Sequence, residues 1–417
     1  MEPQWQPLPQ PVPPQQLQQP TPPNRPPDGH HWKIIAAVIG GIVVVGLIVW
    51  LVFVLLTPTQ SQEVVVPGND KKPTLVTSSV VGGYDHIWDI VFLPSKEMLF
   101  NERSGKIHLR LNDGKVREIH QIEDVVAKGE GGLLGMEIDP KFSENKYIYA
   151  CFNSSKAGAD KQDVRIARFK LIDSTKVEER TDIVTGMPTS GGRHSGCRIK
   201  FGPDGFLYVG TGDAAIGGTA ADHKNLGGKI LRVDRDGDPA PGNLGGDFDP
   251  RIYSYGHRNV QGLAFFPTAE NTVLGVSVEH GSSEDDEINL LQKGNFGWLI
   301  AAGGYNETGV PMTDKSKDPN AIESIWSSGT PTEAPSGATF VTGNQWGYWN
   351  GALFVAMLKG QHLKILTIES NNKVTTTENV FINQFGRLRA VTQGPDGSLY
   401  ISTDNGRADQ IIRVTPQ

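Results

Sequence analysis

The chain has 417 residues, a net charge of −7 and two cysteines, Cys151 and Cys197. An acidic body without a basic stripe argues against a nucleic-acid partner, and two cysteines exclude a disulfide framework or a cysteine-based zinc site. Forty-nine glycines and 28 prolines beside only 20% charged residues point to many tight turns between short strands.

In chain order, residues 1–32 form a Pro/Gln-rich tail (PQPVPPQQLQQPTPPNRPP). It buries too little apolar surface to offset its ordering entropy, which predicts disorder with polyproline II character. A solvated spacer suits it better than an SH3-type ligand. Ile34–Leu56 is a run of 23 residues without a charge. At about 1.5 Å per residue it spans a hydrocarbon core of roughly 30 Å, so residues 33–57 are expected to be a transmembrane signal anchor. A cleaved signal peptide would have an apolar region of about 7–15 residues and a small-residue cleavage site. Arg25 and Lys33 precede the run, while Lys71 and Lys72 lie farther beyond it. The positive-inside rule then puts the N-terminus inside and the large domain outside a cell membrane crossed once. Residues 58–75 read as a polar linker. The two cysteines can pair in an oxidising compartment, and the sequence leaves that pairing open.

From residue 76 to 417 one pattern recurs: alternating hydrophobics, a turn with Gly, Pro, Asp or Asn, then an aromatic–aliphatic strand. It appears at 89–109, 136–152, 199–213, 263–281, 347–366 and 390–406, each with the period-2 signature of a hairpin. Six such units with hardly an amphipathic helix between them predict an all-β, six-bladed β-propeller with four-stranded blades, a five- or seven-bladed ring being the fallback. Their irregular spacing implies long inserted loops, which in a propeller gather over the channel.

Several of those loops carry chemistry. GGRHSGCR holds His194, which a neutral imidazole would make a base near pH 7; alone, a loop histidine is more often polar surface. YSYGHRNVQGLAF carries Arg258 and Asn259, the former a planar fork for carboxylate or quinone oxygens or a loop-anchoring ion pair. EHGSSEDDEINLLQKGNFGW places Glu284, Asp285, Asp286 and Glu287 near the loop carbonyls of Gly281 and Ser282. That mixture of hard oxygens suits Ca²⁺ or a solvated acidic turn. VDRDGD at 233–238 lacks the glutamate an EF-hand needs, Gly245 standing in its place, and reads as a turn. Arg387 and Arg389, at i and i+2, are expected on one strand face. With Arg258 and Lys359 they would supply four cations to a small, multiply anionic ligand. Walker A, helix-leading GxGxxG, HExxH and GxSxG motifs are absent.

Taken in order, GLLGMEIDP, RHSGCRIKFGPDG, YGHRNVQGLAF, EHGSSEDDEINLL with NFGW, LKG, and RLRAV followed by GPDGSLYISTDN resemble the PQQ-dependent aldose sugar dehydrogenases, relatives of soluble quinoprotein glucose dehydrogenase. The resemblance covers residues 76–417. It implies a six-bladed propeller that binds pyrroloquinoline quinone (PQQ) and Ca²⁺, oxidises an aldose to its lactone and passes electrons to a further acceptor. By resemblance, His194 matches the general base. Glu130, Arg258, Asn259, Tyr305, Lys359, Arg387 and Arg389 match cofactor positions. The carbonyls of Gly281 and Ser282 match the ligands of a calcium that contacts the cofactor. Glu287 and the Phe296 carbonyl match a second, structural calcium site. The chain departs from the family where Glu130 replaces a common Gln, Ser282 and Val260 replace Pro, and Arg193 replaces a residue that contacts glucose in the soluble enzymes. A non-catalytic extracellular propeller that binds a protein or glycan is the alternative; the base together with four cations favours the enzyme.

Overall fold

Period-2 alternation resolves into short antiparallel strands in the computed structural model, which describes residues 71–157, 161–266, 275–369 and 371–417. The Pro/Gln tail, the apolar run 34–56 and residues 58–70 of the linker lie outside the described residues. Among the described residues no helix is long and apolar enough to cross a membrane.

The described chain enters through β1 (Leu75–Tyr84) and then lays down one sheet after another. The first comprises β2 (Ile87–Phe92), β3 (Met98–Glu102), β4 (Lys106–Arg110) and β5 (Val116–Gln121). The second has β6 (Leu133–Ile138), β7 (Tyr147–Ser154), β8 (Asp163–Asp173) and β9 (Lys176–Met187). The third has β10 (Gly196–Phe201), β11 (Leu207–Thr211), β12 (Lys229–Val233) and β13 (Ile252–Tyr255). The fourth has β14 (Val260–Phe265), β15 (Gly275–Glu279), β16 (Glu287–Leu290) and the two-residue β17 (Trp326–Ser327). The fifth has β18 (Pro335–Phe340), β19 (Leu353–Met357), β20 (His362–Ile368) and β21 (Val374–Val380). The sixth joins β22 (Leu388–Gln393), β23 (Leu399–Thr403) and β24 (Asp409–Pro416) to β1, in register from Leu75 opposite Pro416 to Tyr84 opposite Asp409. The ring is thus closed by its first strand, and the expected six blades of four strands are present.

Radial stacking explains the burial pattern. Second strands such as β3, β11, β15 and β19 are buried along their whole length because neighbouring blades cover both faces. The outermost β21 alternates between half-buried and exposed positions, as a strand with one wet face should. Six apolar clusters fill the six interfaces between blades, for example Leu99 and Ile107 against Met136 and Ile148. The GPDG turns are fixed by a repeated ion pair. Asp204 accepts from Tyr208 Oη (3.0 Å) and Arg232 Nη2 (2.7 Å). Asp396 accepts from Tyr400 Oη (3.1 Å) and Arg413 Nη2 (2.6 Å) in the same way.

Five of the six repeats seen in the sequence start on the inner strand of a blade. The unit at 347–366 instead covers β19 and β20, one strand late. Its inner strand β18 (PSGATF) is small and polar because a Cβ at Gly337 would meet the Arg389 carbonyl and Ala390 Cα at 2.9 Å. Close approach of adjacent inner strands therefore erased the apolar signal there.

The cysteine pairing left open by the sequence is settled: Cys151 on β7 is bonded to Cys197 on β10, 46 residues away, joining two blades directly beneath the His194 loop. Closing a loop of that length contributes about 4 kcal/mol in the chain-entropy account. Replacing both cysteines by alanine is expected to destabilise the domain by about 2–4 kcal/mol, read as a lower Tm by calorimetry; an unchanged Tm would show that the bond constrains nothing.

Candidate active site

His194 sits in the loop that leads into β10, with its backbone at φ 46°, a left-handed conformation that side chains other than glycine adopt at a cost. The end of β11 holds it there. A Cβ at Gly212 would lie 1.8 Å from the His194 carbonyl oxygen, so only glycine permits this approach. The imidazole is buried and donates from Nδ1 to Asp213 Oδ1 at 2.7 Å. Asp213 is in turn fixed by the Ala215 amide (2.8 Å), Trp298 Nε1 (2.7 Å) and Tyr305 Oη (3.0 Å). With Nδ1–H committed to the carboxylate, Nε2 keeps its lone pair, and among the described residues nothing bonds to it. An imidazole oriented in this way is equipped to take a proton at Nε2.

His194 lines a cavity of about 180 Å³ together with Glu130, Arg258, Asn259, His280, Gly281, Ser282, Asp286, Thr332 and Ala334. These residues come from loops of four blades. Asn259 knits the floor, its Oδ1 accepting from the Gly196 amide (3.1 Å) and its Nδ2 donating to Glu130 Oε2 (3.1 Å). Arg258 receives its orientation from the Glu279 carboxylate at its amide (2.8 Å) and from the His280 carbonyl at Nη1 (3.1 Å). His280 is half-buried with its Nε2 shielded from solvent, and desolvation followed by the charges of Arg258 and Arg389 holds its pKa down to about 3. Its Nε2 has no hydrogen-bond partner within the protein.

The four expected cations are set apart. Arg258 lines the cavity. Lys359 is exposed and donates from Nζ to the lining residue Thr332 at 2.9 Å, which puts it at the mouth. Arg387 precedes β22 and is exposed. Arg389 lies on β22, buried, bonded through Nε to Asp404 (2.8 Å) and through Nη1 to Gln261 (3.1 Å). The two arginines nevertheless lie close together: Arg387 and Arg389 both stand within reach of the Asp404 carboxylate, the first exposed and the second buried.

The acidic stretch divides as well. Glu284 and Asp285 bond Thr330 (3.0 Å) and Ser327 (2.6 Å) at the surface. Asp286 turns in to cap the Gly281 amide (2.9 Å) and the Ala334 amide (2.8 Å), folding two loops of the cavity together. At Gly281 a Cβ would fall 2.0 Å from the Glu284 carbonyl, so the turn that presents Gly281 and Ser282 tolerates no side chain there. Glu287 is different: it lies buried on β16 directly opposite Glu279 on β15. Burial, with the Glu279 carboxylate beside it, pushes the Glu287 carboxyl well above the usual range. Thr313 Oγ1 bridges Glu287 Oε1 and the Phe296 carbonyl at 3.2 Å each, and the adjacent Asn289 Oδ1 is buried without a partner. Asn289 Nδ2 donates to Glu279 Oε1 (2.9 Å) and Glu287 Oε2 (3.3 Å), and the two buried carboxylates with the Phe296 carbonyl are hard oxygens of the kind a divalent cation takes.

A family model described as glucose/sorbosone dehydrogenase matches residues 84–413, all six blades. The chain belongs to the glucose/sorbosone dehydrogenase family. It is 31% identical to aldose sugar dehydrogenase YliI of Escherichia coli over 80% of this chain and 91% of that protein. It is also 31% identical to quinoprotein glucose dehydrogenase B of Acinetobacter calcoaceticus, over 73% of this chain and 67% of that one. The PQQ-bound aldose sugar dehydrogenase of Streptomyces coelicolor superposes with a TM-score of 0.69 at 29% identity, covering 83% of this chain and all of that one. The kinship expected from the ordered motifs is met, and with it the class of enzyme, a sugar dehydrogenase.

Three groups of this family site escaped the sequence reading. Asp213 ends the same motif that carries His194, and a carboxylate directly after a strand was the available signal. Glu279 is marked only by its register opposite Glu287. Glu307 sits in an irregular loop between β16 and β17 and carried no signal. Its carboxylate nevertheless receives Arg258 Nη2 (2.8 Å), Tyr305 Oη (3.1 Å) and Arg193 Nη2 (2.7 Å).

Proposed function

We propose that this protein is a membrane-anchored quinoprotein that oxidises an aldose to its lactone. The observation that carries the reading is the oriented His194–Asp213 pair (2.7 Å) opening on the cavity that also holds Arg258, Asn259 and the Gly281–Ser282 turn. The cavity suits an anionic, hydrogen-bonding cofactor held with a cation: it offers the Arg258 guanidinium, the bare His280 Nε2 and a turn closed to any side chain at Gly281. Arg258 and Asn259 would hold PQQ, with Lys359 at the mouth, while the Gly281 and Ser282 carbonyls would hold Ca²⁺ against it. When bound, PQQ and its calcium supply a polarised hydride acceptor.

The protein's own groups then do the following. His194 Nε2 takes the proton of the anomeric hydroxyl as the C1–H bond breaks, so the sugar loses one hydride and one proton and becomes the lactone. Asp213 holds the Nδ1 proton and favours the imidazolium that forms. Tyr305 packs edge-to-face on His194, ring centroids 5.8 Å apart, and keeps the base from turning. Glu130 places a carboxylate in the lining, where the Asn259 amide and a cation on the Gly281–Ser282 turn offset its charge. Glu287, Glu279 and the Phe296 carbonyl would hold a second, structural Ca²⁺.

The uncharged run 34–56 supports a single membrane anchor, and the Cys151–Cys197 bond supports an extracytoplasmic domain. The deciding experiment is to titrate the purified ectodomain with PQQ and Ca²⁺ and then follow dye reduction over a panel of aldoses. Saturable PQQ binding with aldose-dependent reduction is expected. Failure to bind PQQ, or no aldose reducing the dye, would overturn the reading.

A further inference from the structure

His194 is buried, and beside its ring, joined to the cavity-lining Arg258, stand three linked residues: Tyr305, Arg193 and Glu307. Tyr305 presents its ring to the imidazole, and the Arg193 guanidinium lies over that ring at 5.3 Å from its centroid. Glu307 joins them. Its Oε2 is held from three directions, by Arg258 Nε (3.1 Å), Arg258 Nη2 (2.8 Å) and Tyr305 Oη (3.1 Å). That grip fixes the carboxylate plane and turns Oε1 toward Arg193 Nη2 at 2.7 Å.

The outer half of this arrangement is underused. Arg193 has five N–H donors, and the bond to Glu307 is its only side-chain hydrogen bond among the described residues. Glu307 Oε1 likewise accepts only that one bond. The side chains are 51% and 24% exposed, and an ion pair so placed contributes little to stability. A rigid acceptor beside a rigid donor, both with spare capacity and next to the base, matches a pair of neighbouring hydroxyls.

We propose that Glu307, paired with Arg193, determines substrate specificity by taking the hydroxyl on the carbon adjacent to the anomeric centre of the aldose whose C1 hydroxyl lies at His194. The inference rests on the proposed function above. Glu307 Oε1 accepts a hydrogen bond from that hydroxyl and Arg193 donates to the oxygen of the hydroxyl next to it on the sugar. A sugar lacking that hydroxyl leaves an acceptor position of Glu307 Oε1 unfilled and cut off from water, the condition under which hydrogen-bonding sites discriminate strongly. Neutral aldoses fit the pair, because its own charges cancel.

The test compares glucose with 2-deoxyglucose on the PQQ- and Ca²⁺-loaded protein and on its Glu307→Gln and Glu307→Ala variants, with PQQ affinity measured by fluorescence titration in each. The ratio of kcat/KM for glucose over 2-deoxyglucose is expected to fall by about tenfold or more in Glu307→Ala, with Glu307→Gln between, as loss of a charge-assisted hydrogen bond implies. An unchanged ratio overturns the inference, including where PQQ affinity falls, which would make Glu307 a support for Arg258 alone. Calorimetric titration of both sugars into the Ca²⁺-loaded protein without PQQ reads the same discrimination as a ratio of Kd. Discrimination by Kd that Glu307→Ala abolishes, in a protein that oxidises no aldose, would sustain this inference while overturning the proposed function.

Discussion

Replacing His194 by alanine is expected to lower kcat by about 10²- to 10⁴-fold while PQQ affinity stays within a few-fold of the parent protein. His194 is the one cavity residue that combines a free ring nitrogen with a second nitrogen held by a carboxylate, at 2.7 Å from Asp213. Removing the ring removes proton transfer but none of the bonds that fix Arg258 or Asn259. Replacing Asp213 by asparagine should reproduce much of the loss, because an amide at that position can donate to Nδ1 and favour the tautomer whose Nε2 carries the proton. Stopped-flow reduction with PQQ preloaded separates binding from the chemical step. A His194→Ala protein with undiminished kcat would remove this residue from the mechanism.

Calcium removal should have the second large effect, and on stability rather than on chemistry alone. Glu279 and Glu287 face each other in adjacent strands, both buried. Without a cation, two carboxylates share one desolvated site, which is costly. Saturating Ca²⁺ at about one hundred times its Kd would add about 3 kcal/mol, a rise in Tm on the order of 5 °C for a domain of this size. The Glu287→Gln protein should be more stable than the parent under chelation, because the repulsion is relieved, and should gain little from Ca²⁺. Differential scanning calorimetry in chelator and in Ca²⁺ reads both effects. If chelator leaves the parent Tm unchanged, the Glu279–Glu287 pair is not a cation site.

Much of the fold was legible because a propeller repeats one local solution. Alternating strands about a turn mark each unit, and in two of them a GPDG turn adds an aspartate that receives the tyrosine and arginine of the same blade. Where the repeat was misphased, at 347–366, the inner strand had traded apolar side chains for Ser336 and Gly337 so that β22 could approach. The site was legible in part. Family motifs carried His194, Arg258, Asn259 and the Gly281–Ser282 turn, and the structure gathers these around one cavity. Arg389 is bonded to Asp404 and Gln261, and its charge still reaches the lining residue His280; those partners lie far from it in the chain and no local pattern marks them.

The sequence by itself determined the blade number and the order of the motifs and put His194 forward as the base, since each is written in contiguous residues. Tertiary structure alone decided what stands around that base. Asp213 is 19 residues from His194, Tyr305 is 111 residues away, and Arg193 meets Glu307 across 114 residues. Such contacts arise because six blades converge on one axis and their long loops fold over it. Whether a cation is free, paired or buried there depends on the packing of those loops, which no local pattern encodes.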